Sequence, residues 1–310
     1  MGHTLEFLRQ ISNLPTVNMA KGWINGDETA KQMLARVLKE RPLLLFPHPL
    51  HRIPFGINNI VEIIGPSPSA KTEILLQVAV TCILPKNWNG IQYGGFGHSV
   101  LFLDLDCRLD IFRLSQSLKQ RIAETNHNST HPFDMDLFTD CMKRFSYTRC
   151  YDSFQFLSAL KGLHTKLEKE GNEHRNGVHV LMIDGIGAFY WIDRGFSSLP
   201  QMNPNRKNIC LQTVFETAVQ ELKKLLMMHS VLVLATRTVT TQVKGWSKTE
   251  YREYMPLIWQ SFVTHRILVR PLDDKRKVHD RVCYLAEWLL PALNLSDEFF
   301  VGNAGISNLM

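Results

Sequence analysis

Short apolar runs alternate along this chain with stretches in which apolar residues recur every three or four positions. The runs Ile60–Ile64, Ser99–Asp104, Val178–Asp184, Ser230–Thr236 and Arg266–Arg270 are too short for helices and are rich in β-branched and aromatic residues. They predict strands buried on both faces. Phe145–Tyr147 is a shorter strand, and Val282–Ala286 and Phe299–Val301 read as late strands. Between them lie helix-compatible patterns. Glu73–Val80 is one, and Ile111–Ala123 sets Ile111, Leu114, Leu118 and Ile122 on one face. Phe154–Leu167 does the same with Phe156, Leu157, Leu160, Leu163 and Leu167, and Thr213–His229 with Phe215, Ala218, Val219, Leu222, Leu225 and Leu226. Strands alternating with helices predict an α/β fold: a twisted, mostly parallel sheet with helices on both faces.

The connecting stretches carry less pattern. Residues 1–55 read as a separate N-terminal arm. A helix starting near Asp27 is followed by Pro42, Pro47, Pro49 and Pro54, which predict a stiff, extended linker to a core domain over 56–310. Glu168–Gly177 reads as a charged surface loop, and Arg237–Met255 as a polar, basic and exposed one.

Composition narrows the class. With 310 residues, of which 45% are apolar, the chain has ample material for a core. It shows no run long enough to cross a membrane and no basic segment leading into an apolar stretch, so neither a membrane span nor a secretory signal is expected. The six cysteines are scattered with no C-x-x-C, and the twelve histidines show no H-E-x-x-H or similar ligand spacing. Reduced, buried thiols are the expectation. The net charge of +6 is uneven: Arg194–Arg281 holds fifteen Lys/Arg against seven Asp/Glu, leaving the remainder two units negative. A basic C-terminal half suits a polyanion such as nucleic acid; a solvated basic face is the competing reading.

The candidate chemistry sits where the first strand ends. Gly65-Pro66-Ser67-Pro68-Ser69-Ala70-Lys71-Thr72 matches the phosphate-loop template G-x-x-x-x-G-K-[ST] at Gly65, Lys71 and Thr72, but Ala70 replaces the second glycine. Such a loop aims backbone N–H groups and a helix N-terminus at phosphates. Alanine in a left-handed conformation costs about 1–2 kcal/mol, and Pro68 has no N–H to offer. Lys71 still supplies a charge and Thr72 a hydroxyl for magnesium. An ordinary strand-to-helix turn is the competing reading. Two further strands end in acids, at Asp104-Leu105-Asp106 and at Asp184, where open α/β sheets bind ligands. An aspartate closing an apolar strand is the other half of a nucleotide–magnesium site.

A phosphate loop, an Asp-x-Asp strand, an Asp-terminated strand and a Thr-Arg-Thr strand end, in that order, resemble the RecA-like recombinase core over residues 56–310. Supporting strings are Cys82–Lys86, Phe102–Asp106, Ala188–Arg194, Trp259 and His265-Arg266. The resemblance is to a recombinase paralogue and implies a P-loop ATPase core that binds ATP and Mg2+ more readily than it hydrolyses ATP. It makes Gly65–Thr72 the phosphate cradle, Thr72 and Asp184 the metal site, and Arg113 the residue stacked on adenine. Asp106 stands where active members carry a catalytic glutamate and is one methylene shorter. Thr238 replaces a glutamine that senses the γ-phosphate. The resemblance further implies DNA contact by Arg206, Lys207, Lys244, Lys248 and Arg252, with Phe196, Trp246 and Tyr251 as stacking faces. A heteromeric complex with the D-type recombinase paralogue as immediate partner, single-stranded or branched DNA as ligand and nuclear localisation complete the expectation. The alternatives are an active DNA-stimulated ATPase and a small-molecule phosphotransferase.

Overall fold

Apolar runs that no single face could bury become the centre of one large sheet. In the computed structural model the described residues are 42–126, 133–173, 178–197, 210–244, 248–272, 282–302 and 305–308. The chain divides into two units, residues 1–40 and 41–310. The helix expected in the N-terminal arm lies outside the described residues.

In chain order the described elements are β1 (Leu43–Leu44), β2 (Phe55–Gly56), β3 (Ile60–Gly65), α1 (Lys71–Ile83), β4 (Asn87–Trp88), β5 (Ile91–Gln92), β6 (Ser99–Asp104), α2 (Ile111–Thr125), α3 (Met135–Lys143) and β7 (Phe145–Arg149). There follow α4 (Ser153–Glu173), β8 (His179–Asp184), α5 (Tyr190–Ser197), α6 (Leu211–Met228), β9 (Val231–Thr238), β10 (Thr240–Lys244), β11 (Lys248–Arg252), α7 (Leu257–Phe262), β12 (His265–Pro271), β13 (Cys283–Leu290), β14 (Ser296–Gly302) and β15 (Gly305–Asn308). The nine-stranded sheet runs β15-β14-β13-β12-β3-β9-β8-β6-β7. From β12 to β7 every pairing is parallel, and β13, β14 and β15 add antiparallel strands at one edge.

The period-two alternation of the strands feeds two cores. Val61, Ile63, Val100, Phe102, Val180, Met182, Leu232 and Leu234 face α1, α2 and α3. Ile60, Leu101, Leu103, Leu181, Ile183, Val231 and Val233 face α4, α6 and α7. Helices therefore cover both faces, as the alternation predicts. Among the described residues no helix is long and apolar enough to cross a membrane.

Three local expectations are corrected. Phe46, Leu50 and Phe55 of the proline-rich stretch are buried in the first core, because apolar side chains between the prolines have a surface to join; residues 42–55 are not a free linker. α4 continues to Glu173, past the start of the loop expected at Glu168, since charged residues with good helix propensity extend a helix already nucleated by packing. The stretch after β9 forms an antiparallel ribbon, β10 with β11, where a loop was expected.

Candidate nucleotide site and basic ribbon

The C-terminal ends of adjacent parallel strands bring the predicted residues together. β3 ends at Gly65 beside Thr238 of β9, and Asp104 of β6 lies level with Asp184 of β8. This edge is where open α/β sheets place ligands. Gly65 is fixed by packing, since a Cβ there would stand 2.0 Å from the Val269 carbonyl oxygen.

Ala70 precedes α1 in the left-handed conformation, with φ 56°. The missing glycine therefore has its expected cost, about 1–2 kcal/mol. No side chain caps this helix start, so its first N–H groups remain available to an anion. Lys71 is folded onto its own loop. Its Nζ donates to the Gly65 carbonyl at 3.0 Å, the Pro66 carbonyl at 2.8 Å and Ser69 Oγ at 2.8 Å. Burial pushes the Lys71 ammonium down to about 8; Asp184 pulls upward, Arg108 adds to the fall and Asp106 opposes it.

Thr72 Oγ1 donates to Asp184 Oδ2 at 2.8 Å. Thr236 Oγ1 donates to Asp184 Oδ1 and accepts from the Gly185 N–H at 2.9 Å. Burial nevertheless raises the Asp184 carboxyl above the ordinary range, because two hydroxyls replace its water only in part. A desolvated carboxylate beside a hydroxyl, with no cation hydrogen-bonded to it among the described residues, is a hard-oxygen donor set that fits Mg2+.

Asp104 and Asp106 divide their work. Asp104 is fully buried and accepts from the N–H groups of Arg108 (3.2 Å) and Leu109 (3.1 Å) and from Tyr147 Oη (2.9 Å). It holds the turn that follows β6. Asp106 faces the site, packed so closely that a Cβ on Gly185 would lie 2.4 Å from its Cγ. Gly185, at φ +81°, is the residue that permits this approach. Burial raises the Asp106 carboxyl, against the pull of Arg108 and Lys71.

Other candidates are placed differently. Arg113 donates to Glu73 Oε1 through Nε (3.2 Å) and Nη2 (2.9 Å), and to the Gly302 carbonyl at 2.8 Å. These bonds tie α2 to α1 and β14. Thr238 closes β9, and its carbonyl accepts from Tyr254 Oη at 2.6 Å. Lys244 and Lys248 stand opposite each other at the far end of the ribbon, and Arg252 lies at its base, opposite Thr240. Arg252 is exposed. Tyr251, expected as a stacking face, packs against Ile64, Val239 and Leu268. Arg206, Lys207 and Trp246, together with the side chain of Phe196, lie outside the described residues.

Sequence reasoning missed three participants. Arg108 reaches Ser67 Oγ at 3.2 Å, and Thr236 braces Asp184. The third is Arg237, expected in the exposed loop but 1% exposed at the end of β9. Its Nε donates to Glu62 Oε1 at 2.8 Å and its Nη2 to Glu253 Oε2 at 3.0 Å. The signal was Glu62 itself, an acid inside an otherwise apolar central strand, which calls for a buried partner.

With this geometry in view, the Rad51 profile matches residues 54–309. The chain belongs to the Rad51 family. It is 46% identical over 330 aligned positions to the "DNA repair protein XRCC2 homolog" of Arabidopsis thaliana, covering 91% of this chain and 88% of that one. It is 29% identical over 273 positions to the "DNA repair protein XRCC2" of Mus musculus, covering 81% and 86% respectively. These are the relatives a RecA-like core with this order of strand ends leads one to expect.

Proposed function

We propose that this chain is an accessory factor in DNA double-strand break repair by homologous recombination, acting in the nucleus within a recombinase-paralogue complex whose immediate partner is the D-type paralogue. The names of its relatives support the repair role, and membership of the Rad51 family supports the recombination setting. One observation carries the reading of the site. The metal-facing pair Thr72–Asp184 is in register at 2.8 Å, while the loop that should cradle phosphate is strained at Ala70 and lacks an N–H at Pro68. The seat for Mg2+ and the lysine charge are retained, and the cradle is impaired.

Bound MgATP would supply a hydrolysable phosphoanhydride; Lys71, Thr72, Asp184 and the open N-terminus of α1 would hold it. Asp106 would have to position water, with one methylene less reach than a glutamate and a carboxyl already raised by burial. In this reading nucleotide is structural or regulatory. The persistence of the Thr72–Asp184 contact supports the second reading, a slow DNA-stimulated ATPase. Single-turnover ATP hydrolysis with and without single-stranded DNA, using Lys71→Ala as control, separates the two. Hydrolysis no greater than the control, with Lys71→Ala still supporting complex assembly and repair, is the expected result. DNA-stimulated turnover that the control loses would establish the second reading instead.

The ribbon is the proposed DNA contact. Three cations neutralising phosphates give a salt dependence with a slope of about −0.9 per contact. Replacing Lys244, Lys248 and Arg252 with glutamine should flatten that slope by about two to three. An unchanged slope would remove the ribbon from the interface.

A further inference from the structure

A second polar cluster lies where the segment before β3 meets the antiparallel edge of the sheet. The turn Pro47–Arg52 is closed by a hydrogen bond from the Leu50 N–H to the Pro47 carbonyl at 2.9 Å. It presents His48 and His51 to Asp297 of β14, and one ligand atom from each of the three lies within 4.8 Å of the others. The histidine rings are 4.9 Å apart, and His48 sits edge-on to Phe299. His48 Nδ1, His48 Nε2 and His51 Nδ1 are all shielded from solvent, and none makes a hydrogen bond of ordinary geometry. Imidazole nitrogens shielded from water and without a well-formed hydrogen bond are costly unless something else binds them.

The carboxylate is already oriented. Arg52 donates to both oxygens of Asp297, through Nε at 3.0 and 3.1 Å and through Nη2 at 2.5 Å. A carboxylate has about four lone-pair sites, so one stays open, on Oδ2, after the three contacts with Arg52. Metal-ligating carboxylates are commonly held in this way by an outer hydrogen bond.

We propose that His48, His51 and Asp297 form a binding site for a zinc-class divalent cation that clasps the Pro47–Arg52 turn to β14. Two imidazoles and one carboxylate suit Zn2+, with water as the fourth ligand. Bonds of about 2.0–2.2 Å in a tetrahedron place ligand atoms about 3.4 Å apart, so the metal would draw the cluster in by about an ångström. The clasp would fix the entry of the N-terminal segment to the edge of the sheet. A scan of spacing alone passes over the cluster, because the third ligand lies more than two hundred residues from the histidines.

The test uses the tag-free full chain, stripped with chelator and then titrated with Zn2+ against a chromophoric competitor. Co2+ serves as the spectroscopic probe. The expected result is one tight equivalent, a Co2+ spectrum with nitrogen and oxygen ligands and no sulfur charge-transfer band, and at least tenfold weaker binding in both His51→Gln and Asp297→Asn. Equal affinity in the wild type and both variants would overturn the proposal. So would a sulfur band, which would assign the metal to the cysteines. Because the Co2+ spectrum is taken on the unmutated chain, a variant that fails to fold still leaves the proposal decided.

Discussion

Two charged clusters border the central strands, one joining β3 to β9 and β12 and the other joining α1, the turn after β6 and the end of β8, and they have opposite electrostatics. In the first, Glu62 is wholly buried but accepts from Arg237 Nε at 2.8 Å, Trp259 Nε1 at 2.9 Å and Arg266 Nε at 2.6 Å. Burial pushes its carboxyl up, and the two arginines with their hydrogen bonds more than offset that, so it ends below the ordinary range. Arg237 shows the complementary result: burial pulls it down, and Glu62 and Glu253 raise it overall. The Tyr254 ring lies 5.2 Å from its guanidinium. In the second cluster Lys71, Asp106 and Asp184 are displaced toward their neutral forms. In the first cluster the acid is fully paired without a ligand, although Arg237 Nη1 and Arg266 Nη2 are buried without a hydrogen-bond partner. In the second, Lys71 and Asp184 are held by carbonyls and hydroxyls and, among the described residues, by no ion pair, as suits a site that receives charged ligands.

The largest effect should come from breaking the ion-paired cluster. Glu62→Gln leaves the buried Arg237 and the half-buried Arg266 with Glu253 as their remaining acid and should cost about 3 kcal/mol in chemical denaturation. A loss below about 1 kcal/mol would mean that water reaches the arginines. The pH dependence has a definite sign. The folded Glu62 value lies below its ordinary 4.5, so its contribution is complete above that value and is lost as pH falls through the folded one. Part of the wild-type acid destabilisation should therefore be missing in the variant.

The open cluster should respond in the opposite direction. Lys71 falls from its ordinary 10.5 to about 8 on folding. Its charged form is disfavoured in the nucleotide-free protein, so stability from this group is lowest below about 8 and rises toward 10.5. Nucleotide affinity, which needs the ammonium, should be level below about 8 and weaken above it by up to tenfold per pH unit, about 1.4 kcal/mol. Lys71→Gln should remove both slopes. Parallel slopes in the wild type would show that the lysine is not the titrating group.

The smallest effect tests the cradle alone. Ala70→Gly relieves the left-handed strain at the price of a more flexible unfolded chain, and should stabilise by about 0.5–1 kcal/mol. Tighter MgATP binding should accompany it. Stabilisation without tighter binding would locate the defect at Pro68.

Much of this contrast was legible in the chain. Gly65, Lys71, Thr72, Asp106 and Asp184 were identified from strand ends and template spacing, and they converge because parallel strands all end at one edge of the sheet. The Ala70 strain could be foreseen because the template requires a backbone conformation, independent of contacts. Arg108 carries no local mark and Thr236 was marked only as part of a strand end, and their roles depend on neighbours brought in by the sheet. Arg113 was assigned to adenine by resemblance. Its observed bonds to Glu73 and to the Gly302 carbonyl depend on a strand almost two hundred residues away, which no local pattern encodes.

The same division explains the folded chain as a whole. Hydrophobic period and turn chemistry act within a few residues, so the sequence by itself determined the alternating strands and helices, the sheet buried on both faces and the loop that begins α1. Which acid would be satisfied and which left open was decided only by the tertiary structure. Glu62 receives its arginines from β9 and β12, the Asp184 carboxyl receives only hydroxyls among the described residues, and the cost of burying a charge depends on what the rest of the fold brings within hydrogen-bonding distance.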